Sequence, residues 1–349
     1  MNGQDGLYRK LVIRDIKEEV KGFKTFAFEQ GHGISYQSGQ YLTLVRFVNG
    51  TEVRRSYSIT SSPVLNEPLS IGVKRVENGM FSRHLIDHAQ LGDELLTTGS
   101  GGFFVLPDDI KMYRQLFFFA AGSGITPVYS LIKTVLNAHP HLSVVLIYSN
   151  ASEEKAIFLS SLKELQVGFA ERFHMELLFS NSVHLLRARL HRDLIIQFIT
   201  NLRVNEKGKT LFYICGPENY MRLCTYTLQE HGIPAADIRK ENFIIHTAPK
   251  IDRNPPDKAD RKALIHIGGR THEFTVHYPD SILKAARKEG MILPYSCDAG
   301  RCGNCVAKCT KGTVWHAYNE VLTDKELQKG LVLTCVGHPV GGDVELVIQ

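Results

Sequence analysis

Three cysteines fall within nine residues in the stretch Pro294-Tyr295-Ser296-Cys297-Asp298-Ala299-Gly300-Arg301-Cys302-Gly303-Asn304-Cys305, and a fourth, Cys335, follows after 29 intervening residues. The C-x4-C-x2-C…C spacing is that of a [2Fe–2S] ligand set. Two irons need four thiolates, two on each. A tight loop can wrap three of them around one side, so the fold must bring the chain back from a distance to supply the fourth. Gly300, Gly303 and Asn304 keep the loop small enough for backbone N–H groups to approach the sulfurs. Structural zinc usually takes two short cysteine pairs, and only Cys302 and Cys305 form one here. A disulfide framework belongs to small secreted domains, whereas this chain has 349 residues. Cys297, Cys302, Cys305 and Cys335 are therefore the expected metal ligands, leaving Cys215, Cys224 and Cys309 without a cluster role.

At this length the chain should divide into two or three domains, each able to bury a core. Apolar content of 43% and charged content of 22% are those of a water-soluble globular protein. Met1 to Leu11 has no apolar signal core, and no apolar run reaches membrane-spanning length. Unpaired thiols agree with a cytoplasmic setting. The formal charge of +5 comes without a long basic run, which gives nucleic-acid binding no support.

From Tyr8 to about Val105 short alternating segments are punctuated by turn residues such as Gly31-His32-Gly33 and Asn49-Gly50. This pattern predicts an antiparallel barrel or sandwich with one helix, Phe81–Ala89. Past Tyr113 the texture changes. The continuous apolar run Gln115–Ala121 leads through Gly122-Ser123-Gly124-Ile125-Thr126-Pro127 into a helix, Val128–Asn137. Strands at Ser143–Tyr148, His174–Phe179 and Thr210–Cys215 then alternate with helices at Glu153–Leu165, Arg192–Phe198 and Glu218–Glu230, and Ile238–Ile245 supplies a last strand. Such alternation means a parallel sheet covered on both faces. Thr247–Asp260, with Pro249, Pro255 and Pro256 among charges, reads as a linker. Beyond it come a hairpin through Gly268-Gly269, a short helix capped by Ser281, the cysteine loop, and closing strands Leu331–Val336 and Val344–Ile348. The expected domains are 1–110, 111–246 and 261–349, joined by a linker at 247–260.

Four further stretches carry chemistry. In Arg54-Arg55-Ser56-Tyr57-Ser58-Ile59 alternation puts Arg55 and Tyr57 on one side of a strand. A guanidinium can pair with a pyrophosphate and a phenol can lie against an aromatic ring, although a solvated strand face explains the same pattern. Gly79-Met80-Phe81-Ser82 opens a helix whose unpaired N–H groups suit an anion, as does any capped helix start. Gly122 to Pro127 joins a buried strand to a helix as nucleotide-facing turns do, yet Pro127 stands where the third glycine of a G-x-G-x-x-G fingerprint belongs. Cys215-Gly216-Pro217 lies at the carboxyl end of a parallel strand, the usual ligand edge, where a small buried cysteine is equally ordinary.

Taken in order, Arg55-x-Tyr57-Ser58, Gly79-x-x-Ser82, Gly122-x-Gly124-x-x-Pro127 and Cys215-Gly216-Pro217 resemble the ferredoxin–NADP reductase superfamily. With the appended cysteine module, the chain looks like the reductase components of multicomponent oxygenases that end in a plant-type ferredoxin domain. Its layout is that of the phenylacetyl-CoA epoxidase reductase type. The resemblance covers nearly everything from about Tyr8. It implies a multidomain protein: an antiparallel FAD-binding β-barrel, an α/β parallel-sheet NAD(P)-binding domain and an α+β β-grasp [2Fe–2S] domain. By the same resemblance Arg55 contacts the FAD pyrophosphate, Tyr57 lies against the isoalloxazine and Ser58 hydrogen-bonds near its N5. Val73, Gly79, Phe81 and Ser82 line the pyrophosphate. Gly122, Gly124 and Thr126 face the nicotinamide dinucleotide, Cys215, Gly216 and Pro217 border the nicotinamide, and Glu241-x-Phe243 ends the nucleotide domain near the flavin.

The implied activity is an NAD(P)H-dependent oxidoreductase passing electrons through FAD and a cluster near about −400 mV to an oxygenase, desaturase or small redox protein. Three departures qualify the match. Ser100 replaces a proline two residues before the glycine of a P-x-G-x-F segment. Ser149-Asn150-Ala151-Ser152 lacks an arginine that many relatives offer a 2′-phosphate, which favours NADH unless Lys155 or Arg187 substitutes. Residues 261–349 carry 11 Lys+Arg against 9 Asp+Glu, unlike the acidic photosynthetic ferredoxins. A general flavodoxin or ferredoxin reductase, or a redox-sensing interaction protein, fits the same motifs. Sustained NADH-dependent reduction of ferricyanide or cytochrome c separates turnover from sensing.

Overall fold

The alternating N-terminal third forms six antiparallel strands: β1 (Arg9–Val20), β2 (Phe23–Phe28), β3 (Tyr41–Val48), β4 (Thr51–Ser58), β5 (Ser70–Lys74) and β6 (Glu94–Gly101), in the order β4-β3-β6-β1-β2-β5. An antiparallel bridge between Ile59 and Ile71 joins the two ends of this sheet and closes it into a barrel. Leu11, Ile13, Phe26, Leu42, Leu44 and Ile71 fill the interior. The helix α1 (Met80–His88) adds Phe81, Leu85 and Ile86 to the same core. The computed structural model describes residues 8–48, 50–204, 209–243 and 254–348, which divide between Asn242 and Phe243 into two compact units.

The first unit also holds a five-stranded parallel sheet, β11-β10-β7-β8-β9, built from β7 (Gln115–Ala121), β8 (Ser143–Asn150), β9 (Phe173–Phe179), β10 (Thr210–Cys215) and β11 (Ile238–Glu241). Its helices are α2 (Ile125–Ala138), α3 (Leu159–Gly168), α4 (Leu185–Ala188), α5 (Arg192–Leu202) and α6 (Glu218–Glu230). The unbroken apolar run of β7 has a direct explanation. Leu116, Phe118 and Ala120 pack with α2 on one face, while Phe117 and Phe119 pack with α5 and α6 on the other. Strands then leave β7 in both directions, so the sheet has its topological switch point between β7 and β10.

The helix expected over Glu153–Leu165 is broken. A single 3-10 turn, Glu153–Lys155, is followed by three consecutive buried residues, Ala156, Ile157 and Phe158, before α3 begins. A helix cannot point three successive side chains at one core. The chain leaves helical geometry, with Phe158 in the left-handed region at φ 60, and stacks that ring on Tyr129 at 4.4 Å.

In the second unit β12 (Arg261–Ile267) and β13 (Arg270–Val276) form the expected hairpin, and β14 (Val306–His316), β15 (Leu331–Leu333) and β16 (Gly337–Ile348) complete a mixed sheet, β13-β12-β16-β14-β15. Helix α7 (Ile282–Lys288) buries Ile282, Leu283, Ala285 and Ala286, and Ser281 caps it by accepting from the Lys284 N–H. Helix α8 (Asp324–Gln328) starts from a Thr323/Glu326 capping box. Of the expected linker, 247–253 lies outside the described residues, as does the predicted strand end at 244–245. The remaining part is fastened to the second unit. Pro255 is buried, and Asp257 accepts hydrogen bonds from Ala259 N–H, Arg261 and Gly341 N–H, which hold its carboxyl down at about 2.

Candidate functional site

The loops after β7 and β10 meet at the switch point. A Cβ on Gly124 would stand 2.1 Å from the Cys215 carbonyl oxygen and 2.9 Å from the Gly216 nitrogen, so the two turns touch backbone to backbone. Gly122 adopts φ +54, open to glycine at little strain. Thr126, almost fully buried, donates from Oγ1 to the Ser123 carbonyl at 2.8 Å and closes the turn. Pro217 precedes the first residue of α6, where its fixed φ is tolerated. Gly122, Gly124, Thr126, Cys215, Gly216 and Pro217 thus lie together at the carboxyl edge of β7 and β10.

The barrel comes up against this edge. A Cβ on Gly72 of β5 would fall 2.8 Å from Thr126 Cγ2 and 3.2 Å from Thr60 Cγ2, so Thr60, two residues past the end of β4, and Thr126 both crowd Gly72. Hydroxyl and charged pairs fix the seam further along α2: Ser130 donates to the Ser61 carbonyl at 2.6 Å, Ser62 and Thr134 share a 2.6 Å bond, and Lys133 pairs with Glu67.

On the barrel, Arg55 is exposed, Tyr57 half-buried and Ser58 buried at the end of β4. The Tyr57 ring lies 6.0 Å from Phe81 at the start of α1. Ser82 organises that start, donating to the Gly79 carbonyl and accepting from the Val76 N–H, both at 3.2 Å. A Cβ on Gly79 would intrude to 2.5 Å of the Ser82 hydroxyl. The side chains of Val73 and Phe81 belong to the barrel core, so Val73 offers no side chain to a ligand and Phe81 offers its N–H in the first helical turn. Phe243, exposed at 41%, is the first residue of the second unit. An exposed guanidinium, a half-buried phenol and a helix start with free N–H groups are the donor set that a dinucleotide pyrophosphate and its aromatic ring require.

Glu241 is a site residue that the motif reading did not single out by chemistry. It pairs in register with Cys215 at the ends of β11 and β10, and its Oε2 is out of solvent with no hydrogen-bond partner. Burial pushes its carboxyl up to about 8. Burial, with a smaller part from Glu241, also pushes the Cys215 thiol well above its ordinary value. The sequence signal was slight: one acidic residue closing a short strand.

In the second unit the four cysteines converge, none of them in a disulfide. The Cys297 N–H donates to Cys302 Sγ at 3.4 Å, and the sulfurs of Cys305 and Cys335 are 3.1 Å apart. Among the described residues no three His, Cys, Asp or Glu side chains gather as a shell for one ion. The thiols touch one another in a chain, Cys302 with Cys297, Cys297 with Cys335 and Cys335 with Cys305, and four thiolates in one place are what two irons require. Hydrogen bonding from Cys302 and Cys335, then from the N–H groups of Arg301 and Ala299, holds the Cys297 thiol far below its usual range. Cys297 in turn pushes Cys302 and Cys335 up. Beside Cys305 in sequence, Asn304 Nδ2 is buried without a hydrogen-bond partner, a donor of the kind that cluster sulfurs accept from. The donor set fits the cluster.

Three family models match in succession: an oxidoreductase FAD-binding domain over residues 11–105, an oxidoreductase NAD-binding domain over 118–225 and a 2Fe-2S iron-sulfur cluster binding domain over 265–340. The chain is 30% identical to one of the subunits of the 1,2-phenylacetyl-CoA epoxidase of Escherichia coli K12, covering 97% of this chain and 96% of the relative. It is 31% identical to the ferredoxin reductase component of 3-ketosteroid-9-alpha-monooxygenase from Mycobacterium tuberculosis H37Rv, covering 97% and 95%. Among solved structures, phthalate dioxygenase reductase, described as a modular structure for electron transfer from pyridine nucleotides to [2Fe-2S], shares the fold with a TM-score of 0.59 at 22% identity over 99% of both chains.

Proposed function

Given that the chain belongs to the oxygenase reductases of the ferredoxin–NADP reductase superfamily that carry a C-terminal [2Fe–2S] domain, we propose that it draws electrons from NADH in preference to NADPH and delivers them, in the cytoplasm, to the oxygenase component of a multicomponent oxygenase. Bound in these domains, FAD accepts two electrons as a hydride and the cluster carries them onward one at a time.

The residues then divide the work. Arg55 and the first-turn N–H groups after Gly79 hold the FAD pyrophosphate, Tyr57 lies against the ring, and Ser58 hydrogen-bonds near its reacting nitrogen. The Gly122–Thr126 turn and the Cys215-Gly216-Pro217 turn hold the nicotinamide by their main chain, which the absent Cβ of Gly124 permits. With the Cys215 thiol and the Glu241 carboxyl both pushed up, the nicotinamide edge carries no fixed anion below about pH 8. A positively charged oxidised ring therefore finds no countercharge to retain it. Cys297, Cys302, Cys305 and Cys335 ligate the cluster.

The observation that carries the NADH reading is the state of Arg187. At Ala151 the chain offers no cation, and Arg187, the alternative cation, is already bonded to Glu176 and held 5.6 Å over the Phe198 ring. Lys155 remains exposed, where a single lysine contributes little. Steady-state ferricyanide reduction should give kcat/KM at least tenfold higher for NADH, and Ala151→Arg should narrow that ratio. Equal use of NADPH by the wild type refutes the preference. The acceptor reading is tested by anaerobic capture from source cells. Oxygenase subunits should co-purify, and NADH-driven oxygen consumption should depend on adding them.

A further inference from the structure

The residue just before Cys302 is an arginine that does not reach for solvent. The Arg301 side chain is only 10% exposed; its Nε lies 3.4 Å from Glu320 Oε2, and its guanidinium stands 5.6 Å over the Tyr318 ring. The Tyr318 hydroxyl donates to the other carboxylate oxygen of Glu320. Main-chain contacts press this acidic loop onto the cysteine loop. The Glu320 N–H donates to the Gly300 carbonyl at 3.1 Å, and the Tyr318 carbonyl occupies the space beside Gly300, where a Cβ would meet it at 2.8 Å. The Arg301 N–H itself points at Cys297 Sγ, 3.4 Å away.

A cation shielded from water thus stands beside the ligand loop with a half-buried counter-anion, Glu320. Neighbouring Cα atoms are about 3.8 Å apart, so the guanidinium stays within one side-chain length of Cys302. Shielded charges at such range interact far more strongly than in water. Reduction of a [2Fe–2S] centre adds one negative charge to it, drawn here from NADH by way of the flavin. A nearby cation favours the reduced state and a nearby anion the oxidised state.

We propose that the Arg301–Glu320 pair sets the reduction potential of the cluster, Arg301 raising it and Glu320 lowering it. If the pair served only to close the loop, the two single substitutions would perturb the site alike. If it tunes the potential, they act in opposite directions. Redox titration of the full-length, cluster-loaded protein, followed by visible absorbance and EPR, separates these cases. At a fixed solution potential Arg301→Gln should lower the reduced-to-oxidised ratio three- to tenfold, and Glu320→Gln should raise it by a similar factor. A tenfold change equals about 59 mV for a one-electron couple. The double variant should return to within threefold of wild type, and Arg301→Lys, which keeps the charge, should stay there too. Should Arg301→Gln lose its cluster, Glu320→Gln and Arg301→Lys still decide the matter. The proposal is overturned if Glu320→Gln leaves the ratio unchanged or lowers it, or if Arg301→Lys shifts it as far as threefold. Shifts of one sign in both Gln variants overturn it as well.

Discussion

Replacing Glu241 by glutamine should change how stability depends on pH. In the folded chain Oε2 is sealed from water without a partner, and burial moves the carboxyl from 4.5 to about 8. At about 1.36 kcal/mol per unit, that is at most about 5 kcal/mol between the two protonation states, an upper figure because buried sites relax around charge. The sign follows from proton counts. Between about pH 4.5 and 8 the folded state holds a proton that the unfolded state has released. Stability is therefore greatest below the unfolded value and is lost as pH rises through the folded one. Glutamine keeps the shape and the burial but cannot ionise. Urea unfolding of the flavin-loaded protein, followed by flavin release, should show the wild type losing stability from about pH 5 to 9. Glu241→Gln should lose less, the gap widening to several kcal/mol by about pH 9. NADH-driven bleaching of the flavin should carry a pH step near 8 in the wild type that the variant lacks. Parallel stability curves for the two proteins would refute the assignment of a neutral buried carboxyl.

Two other substitutions probe the remaining sites. Gly124→Ala places a Cβ 2.1 Å from the Cys215 carbonyl oxygen, a backbone atom that cannot swing away. KM for NADH should rise at least tenfold while FAD content and the cluster spectrum stay at wild-type levels; an unchanged KM contradicts the close approach of the two turns. Cys335→Ser removes the ligand supplied by the distant segment. Iron content and cluster absorbance should collapse and cytochrome c reduction should fall by more than tenfold, while ferricyanide reduction at the flavin persists. Retention of a full iron complement would contradict the ligand set.

Where one force dominated, the sequence was a reliable guide. β7 and β10 match the expected Gln115–Ala121 and Thr210–Cys215 because strands buried on both faces read as near-continuous apolar runs. Misreadings arose where two forces competed. Periodicity favoured one helix over 153–165, but burying Ala156, Ile157 and Phe158 together broke it. β14 is not legible because Thr310-Lys311-Gly312-Thr313 is exposed on both faces and its register against β16 is irregular; its place comes from main-chain pairing, which composition does not record. The site residues were found through glycines and cysteines, whose spacing reflects local geometry. Arg301 and Glu320 were not, and Glu241 was named only by its place before Phe243, since each draws its chemistry from a neighbour that is distant in sequence or becomes adjacent only through strand pairing. Val73 illustrates the converse, a residue picked by motif position whose side chain faces the barrel core.

This division says what can vary in such a chain. The proposed dinucleotide edge consists of two turns in backbone contact at Gly124 and Cys215, the proposed pyrophosphate site of a helix start kept in shape by Gly79 and Ser82, and the cysteine loop folds with the Arg301 N–H on Cys297 Sγ. Main-chain groups are common to every sequence, so what must be kept is the register and the few positions where a Cβ does not fit. A relative at 30% identity over nearly the whole length can satisfy those conditions. Side chains that face the same sites without building them are then free to set their properties. In the proposed function Ala151 decides which nucleotide charge is met and Glu241 the charge of the nicotinamide edge, and in the proposed tuning Arg301 with Glu320 decides how readily the cluster accepts an electron. Differences in activity between members of the family are therefore to be sought at these positions rather than in the motifs that identify it.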